Sequence, residues 1–508
     1  MIRTLTKYNL HFIPFIITIT YLLLTRWQFV YSYSIDLDGL EYYFFRIIQE
    51  MQQGKAMYAD PMEFPYSINL YTPVYFYVLS SLVSVLKLNI YNDLHEILIT
   101  GRMLSFFTVL LQILFLIKLI KKITEYNFIV VLIVALYILL ISGHIYAVRP
   151  DAFKTFFFIL FVYYLSEYLF FSKKIVSAFL CICTSVLAVY SKQDISVYIS
   201  LLYFIVLIFI PGRKTITLFI TFHVICLILF LLMWFIYGKS IISNLVLFNL
   251  QSLKVIESSY NVLLFVFSII RTFPLILLAL YNYKQIHNRD KTFNFYKLLA
   301  IAPVFFYPFI ILSLFRPGAN INYTYELCVL LVLNIAVFIS LNQEQLQKRI
   351  VLFTFFLSGY IGILFFTNAL INSYHFDSKK EAIYKKEYFT CLQERDSIKK
   401  IIQNDTVFFP NTKYALYFAD KNVVLGHDMH LDRFINLYTN VQIQSKLLFV
   451  NTDKYDNNFK NGTVKYIIIY NDSKSAAHLK KYYPNYYFYT STGHFSLYKY
   501  STEQFNHS

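Results

Sequence analysis

Two carboxylates, Asp36 and Asp38, stand just after the first apolar run of the chain. A carboxylate in that place can take a proton from a hydroxyl as a general base. With Glu63 it can also bind a divalent cation through hard oxygen ligands. Further along, Arg149-Pro150-Asp151 and Lys192-Gln193-Asp194 sit in tight turns between closely spaced apolar runs. Ionisable groups at such depth are costly and mark function by default. Their cations suit a phosphate or diphosphate, arginine as a bidentate fork and lysine as a point charge. A third turn, from Arg316 to Tyr323, carries the amide of Asn322 and the phenol of Tyr323, with Glu326 one turn into the next run. Amides and phenols are good partners for sugar hydroxyls. Each feature also has a bland reading: solvated loop acids, cations snorkelling to lipid headgroups, and a plain connecting turn.

The elements that must position these residues are apolar. The 508-residue chain is 57% hydrophobic and only 15% charged, well under the share of about 25% found in soluble domains. The deficit lies in runs of roughly 17–23 residues, long enough to cross a hydrocarbon core about 30 Å thick. They fall near 9–30, 71–88, 101–120, 127–146, 152–171, 175–191, 195–210, 215–237, 262–281, 298–314, 323–341 and 350–371. Many of the 46 tyrosines sit at their ends, where an amphipathic ring suits the headgroup layer. The first run lacks a small-residue cleavage site and reads as a retained anchor.

Positive loops mark the cytoplasmic side. Arg3 and Lys7 put the N-terminus there, and so do Lys121–Lys122, Lys173–Lys174, Arg213–Lys214, Lys284–Lys297 and Lys348–Arg349 if the run at 71–88 does not cross. The expected fold class is therefore an α-helical polytopic membrane protein with about eleven transmembrane helices. Twelve or thirteen follow if 71–88 crosses. The acidic loop 31–100, the three polar turns and the C-terminal part then share the extracytoplasmic side. Within that loop, Leu40 to Met51 has helical spacing and predicts an amphipathic helix lying on the membrane.

Residues 1–371 form the transmembrane module, and 372–508 have the composition of a soluble domain. Helical character at 391–403 alternates with short apolar segments at Thr406–Phe409, Asn422–Leu425 and Val464–Tyr470. A hairpin over Tyr482–Tyr500 turns at Ser491-Thr492-Gly493. The pattern predicts a small α/β layer. Four of the five cysteines lie in apolar runs and only Cys391 in the soluble part, which excludes an internal disulfide framework there. The net charge of +16 is spread over loops beside apolar runs rather than gathered in a stripe, which argues against nucleic acid.

The order of features resembles bacterial GT-C superfamily glycosyltransferases of the dolichyl-phosphate-mannose-protein mannosyltransferase-like group, which includes the lipid A aminoarabinose transferases. The likeness rests on residues 9–345. An acidic motif follows the first crossing, then Gly54-Lys55-Ala56-Met57-Tyr58-Ala59-Asp60-Pro61, then Tyr71-Thr72-Pro73-Val74-Tyr75-Phe76-Tyr77. Gly101-Arg102 opens a crossing, and Arg-Pro-Asp, the Lys-Gln turn and the Pro-Gly-x-x-x-Asn-Tyr turn follow. The resemblance implies transfer of a sugar from a polyprenyl-phosphate carrier, at the outer face, to a lipid, glycan or protein acceptor. It implies a base in the first outer loop, placed on Asp38 with Asp36 as the alternative, since the family has an adjacent acidic pair where this chain has Asp-Leu-Asp. Lys192, Arg149 and Arg102 would hold the carrier phosphate. Glu63, Tyr71, Tyr75, Asp151, Gln193, Asn322 and Tyr323 would line the substrate site. A divalent cation on Asp36, Asp38 and Glu63 stays open. Competing readings are a flippase or transporter of lipid-linked sugars, a polysaccharide polymerase or ligase, and an assembly scaffold. No symmetry between halves favours the transporter, and the acidic site lies too early in the chain for the polymerase.

Overall fold

A computed structural model describes residues 12–37, 41–59, 69–125, 127–141, 143–247, 259–289, 294–314, 321–342, 377–409, 412–418, 423–425, 457–470 and 484–501, with parts of 356–367. Asp38, Glu63 and Arg316 lie outside the described residues, as does the turn up to Asn320.

The apolar runs form helices because a backbone in hydrocarbon must satisfy its own hydrogen bonds. In chain order they are α1 (Phe12–Val30), α2 (Glu41–Gln52), α3 (Val74–Val85), α4 (Leu94–Ile123), α5 (Asn127–Leu140), α6 (Asp151–Leu169), α7 (Ile175–Ser191), α8 (Ser196–Phe209), α9 (Arg213–Tyr237), α10 (Ser259–Arg289), α11 (Phe295–Leu314) and α12 (Tyr325–Leu341). Among the described residues, six helices are long and apolar enough to cross a membrane, and shorter apolar helices accompany them. The chain is a multi-pass membrane protein. The run at 71–88 yields only the twelve residues of α3. A helix of that length rises about 18 Å, well short of the hydrocarbon core.

Burial sorts the spans. The window at Asn322–Leu341 is 83% buried and forms the centre of the bundle, whereas that at Arg213–Tyr237 is 17% buried and faces outward. Polar side chains join the central helices. The Asn334 amide of α12 donates to Leu299 O in α11, and Asn282 of α10 donates to Asn334 O at 2.9 Å. Such bonds replace the hydrophobic drive that lipid cannot supply.

The helix read at Leu40–Met51 is present as α2, but it does not lie bare on a membrane surface. Every residue from Tyr43 to Glu50 is buried. It is covered from two sides: Gln52 donates to Ser80 O of α3 at 2.8 Å, and Gln49 donates to Ile90 O at 3.1 Å and to Leu416 O of the C-terminal domain at 3.2 Å.

The C-terminal domain opens with α13 (Ser378–Ile402), whose first turn is capped by the Asp377 carboxylate accepting from Lys379 N. A five-stranded sheet follows, in the order β2-β1-β3-β5-β4, from β1 (Val407–Phe409), β2 (Val423–Leu425), β3 (Tyr466–Tyr470), β4 (Tyr486–Ser491) and β5 (Phe495–Tyr500). β2 and β3 pair with β1 in parallel, and the β4–β5 hairpin adds antiparallel to β3. The hairpin turn is tied to α13, where Glu394 accepts from Thr492 Oγ1 at 2.8 Å and from His494 N at 2.7 Å. A Cβ on Gly493 would stand 2.7 Å from Glu394 Oε1, so a larger residue there would displace that carboxylate.

Candidate active site

Asp151 is the first residue of α6, where a carboxylate meets the positive end of the helix dipole. Pro150 starts the turn without an amide to satisfy. The Asp151 carboxylate gathers three partners from three segments. Lys192 Nζ donates to Oδ1 at 2.8 Å, Asn322 Nδ2 donates to the same oxygen at 3.0 Å, and Arg149 Nε stands 3.1 Å from Oδ2. One turn further along α6, Lys154 Nζ lies 3.3 Å from Asp194 and 3.2 Å from Glu326, and Thr155 Oγ1 donates to Glu326 at 2.8 Å. Three cations thus face three carboxylates, which is how so many charges persist out of water.

Aromatic rings close one side. The Lys192 ammonium sits 5.2 Å from the Tyr323 ring centre and 5.7 Å from that of Tyr71, within cation–π range. Burial would lower Lys192, but the charges of Asp151 and Asp194 outweigh it and hold the ammonium above its ordinary range. Burial pushes the Tyr71 phenol up to about 12, against the pull of Lys192 and Arg149. Tyr71 therefore stays a proton-bearing donor at neutral pH. Lys192 has three N–H donors; one goes to Asp151, and the ammonium also stands 3.5 Å from Asp194 Oδ2. Asp194 is the partly exposed member, its side chain 18% exposed, and its buried Oδ1 has no hydrogen-bond partner among the described residues.

A second ion group lies beside the first. Arg102 of α4 donates to both oxygens of Glu41, at 3.0 and 2.7 Å, and to the carbonyls of Ser32 and Ser34, both at 2.6 Å. Glu41 also accepts from Leu37 N and Val148 N, each at 2.8 Å. The pair pins the strap 31–37, which carries Asp36, and ties it to the residue before Arg149. Asp36 itself accepts from Glu41 N at 3.1 Å. From α2, Phe44 packs on Tyr71 at 5.0 Å and beneath Arg149 at 5.9 Å. Tyr43 accepts from Leu70 N.

Of the residues singled out in sequence, Tyr71, Arg149, Asp151, Lys192, Asn322 and Tyr323 meet in one cluster. Gln193 stands at its edge, donating to Leu70 O. Tyr75 is buried against Phe153 of α6, at 5.5 Å between ring centres. Arg102 stands in the neighbouring group with Glu41 and Asp36. For the divalent cation, Asp36 is the one candidate ligand among the described residues, and one of its oxygens already takes the Glu41 amide. Lys154, Glu41 and Glu326 were not assigned site roles from sequence. A lysine one turn after Asp151, inside an apolar run, was the available signal.

The architecture is a helical membrane bundle with ion groups at one end and a small C-terminal α/β domain, and solved structures of the GT-C-like fold share it. Among solved structures the chain is similar to ArnT from Cupriavidus metallidurans bound to undecaprenyl phosphate, at TM-score 0.58 and 10% identity over 96% of this chain and 98% of that one. The apo form of that protein gives TM-score 0.55 and 11% identity over 94% and 97%. The archaeal oligosaccharyltransferase AglB from Archaeoglobus fulgidus, in complex with an inhibitory peptide and a dolichol-phosphate, gives TM-score 0.52 and 11% identity over 96% and 74%. No family model matches the sequence, and no curated protein does.

Proposed function

We propose that the chain is a glycosyltransferase that moves a sugar from a polyprenyl-phosphate carrier to a lipid, glycan or protein acceptor at the outer face of a bacterial cell membrane. The observation that carries this reading is the convergence of Tyr71, Arg149, Asp151, Lys192, Asn322 and Tyr323, from four separate segments, at one end of the bundle. The carriers in the similar structures, undecaprenyl phosphate in one and dolichol-phosphate in another, support a lipid phosphate as donor.

In this reading an acceptor hydroxyl, oriented and deprotonated by Asp38 or Asp36, attacks the anomeric carbon in a single displacement. The bond from that carbon to the carrier phosphate breaks, and the configuration inverts. The leaving phosphate needs charge stabilisation more than a proton. Lys192 supplies it with the donors it does not give to Asp151, and Arg149 adds a second cation. Asn322, Gln193 and Tyr323 offer groups to sugar hydroxyls, and the Tyr71 phenol remains a donor throughout. Arg102 is assigned to holding the strap rather than the phosphate, because its nitrogens already serve Glu41 and two carbonyls. A divalent cation on Asp36, Asp38 and Glu63 would neutralise charge beside the acceptor.

The test is transfer of radiolabel from undecaprenyl-phosphate-linked mannose, glucose, galactose and arabinose to crude membrane acceptors by the purified protein in nanodiscs. Transfer that Asp38→Asn abolishes, with the protein still in the membrane, is expected. Full activity in that variant removes Asp38 as the base.

A further inference from the structure

We infer that the soluble domain is part of the active centre, and that Glu381 on its first helix positions the acidic strap for transfer. This rests on the proposed function, but the contact itself does not.

The strap 31–37 has no helix or strand of its own. A carboxylate must sit within about 0.5 Å of productive geometry to act, so such a loop has to be held from outside. Two holds come from the bundle, Arg102 on the carbonyls of Ser32 and Ser34, and Glu41 on the amide of Leu37. The third comes from far along the chain. Glu381 accepts from Ser32 Oγ at 2.7 Å and from Tyr33 N at 2.5 Å. Ser32 Oγ in turn accepts from Ser34 N, and Ser34 Oγ from Asp36 N. The Glu381 carboxylate therefore starts a relay of side-chain bonds that ends on the backbone of Asp36.

The grip is wider than one residue. The Tyr33 ring stacks on His95 of α4 at 3.8 Å, and Tyr388 and Phe389 lie 5.6 and 5.8 Å away. Lys385 Nζ stands 5.3 Å from the same ring. The Tyr388 hydroxyl accepts from His95 N, and Arg395 donates to Tyr91 O at 2.8 Å. Glu381, Lys385, Tyr388 and Phe389 follow helical spacing and make one face of α13. Cys391, Ile398 and Ile402 are its buried apolar residues, and Glu394 meets the hairpin turn. One helix thus joins the sheet to the strap. Glu381 touches no reacting atom and is a positioning residue.

Hydrogen–deuterium exchange on the full chain in detergent micelles reads the contact directly, because the amides of Tyr33, Ser34, Asp36 and Leu37 are all bonded. Glu381→Ala is expected to speed exchange across 31–37 about tenfold or more, with α10 and α12 unchanged. Glu381→Gln, which keeps a carbonyl acceptor for Tyr33 N, is expected to restore much of the protection. Unchanged exchange in the alanine variant overturns the clamp. In the transfer assay, the alanine variant is expected to lose at least about tenfold in kcat, with KM for the undecaprenyl-phosphate sugar held within about twofold. Faster exchange with kcat unchanged overturns the positioning role. A wild-type chain that transfers no sugar from the panel counts against the proposed function alone, and the exchange result still decides the clamp.

Discussion

The Arg102–Glu41 pair and the cluster around Asp151 are both withdrawn from water at the same end of the bundle, yet their atoms are used differently. Arg102 gives its donors to a carboxylate and two carbonyls, and Glu41 answers with two further backbone amides. That group is closed. The Asp151 cluster balances three cations against three carboxylates, with Lys192 shared between Asp151 and Asp194, a buried Asp194 oxygen without a hydrogen-bond partner among the described residues, and two phenol-bearing rings beside the ammonium. In the proposed reading that group is the one that meets the ligand. The closed pair specifies backbone position, whereas the balanced cluster is the part to which the proposed function assigns the phosphate and the sugar hydroxyls.

Breaking the closed pair has the largest expected effect. Glu41→Ala leaves the Arg102 charge buried and uncompensated, which costs about 3–5 kcal/mol. Unfolding of the purified protein in micelles would show it, and a stability near wild type would mean that the pair is not closed. Opening the other group acts on ligand rather than fold. Lys192→Ala leaves Asp151 with Arg149 and Asn322, so stability falls less than in Glu41→Ala. Affinity for undecaprenyl phosphate is expected to drop at least about tenfold, or ~1.4 kcal/mol, in a lipid-binding titration. An unchanged affinity would remove Lys192 from the phosphate site.

Two smaller effects sharpen the contrast through pH. The folded Tyr71 phenol is raised from 10.0 to about 12. Its contribution to stability is therefore complete below about 10 and is lost as pH rises through about 12. Tyr71→Phe is expected to flatten that alkaline loss in a thermal melt series. In the C-terminal domain, burial would raise the Glu394 carboxyl, but its bonds from His494 and Thr492 leave it below its ordinary 4.5. The stability it adds is present above 4.5 and fades as pH falls through the lower folded value. Glu394→Gln is expected to reduce the acid sensitivity of the hairpin, seen by exchange at Thr492–Phe495, with no change at Lys192.

Much of the frame was legible in the sequence because hydrocarbon thickness and strand period act locally. Among the described residues the apolar runs up to 323–341 hold helices, and the three short apolar segments after 405 hold β1, β2 and β3, which are neighbours in the sheet. Loop charge placed the polar turns on one side of the membrane, but their meeting in one cluster comes from contacts between distant segments such as Lys192 and Asn322 on Asp151. Two kinds of feature were not legible. The polar sequence of α13 hides its true start at Ser378, which is set by the Asp377 cap and by partners on both faces. The roles of Glu41, Lys154 and Glu381 come from contacts across wide stretches of chain, and no local period announces them. α4 likewise begins at Leu94, before the apolar run at 101, because its first turn packs on Tyr33 and Tyr388 rather than on lipid.

A cryo-electron microscopy structure of the full chain with undecaprenyl phosphate tests the central claim most directly. The account predicts phosphate oxygens about 3 Å from Lys192 Nζ, on the side of Tyr71 and Tyr323, with Arg102 still on Glu41. Phosphate density away from Lys192, or bound to an Arg102 released from Glu41, would contradict it.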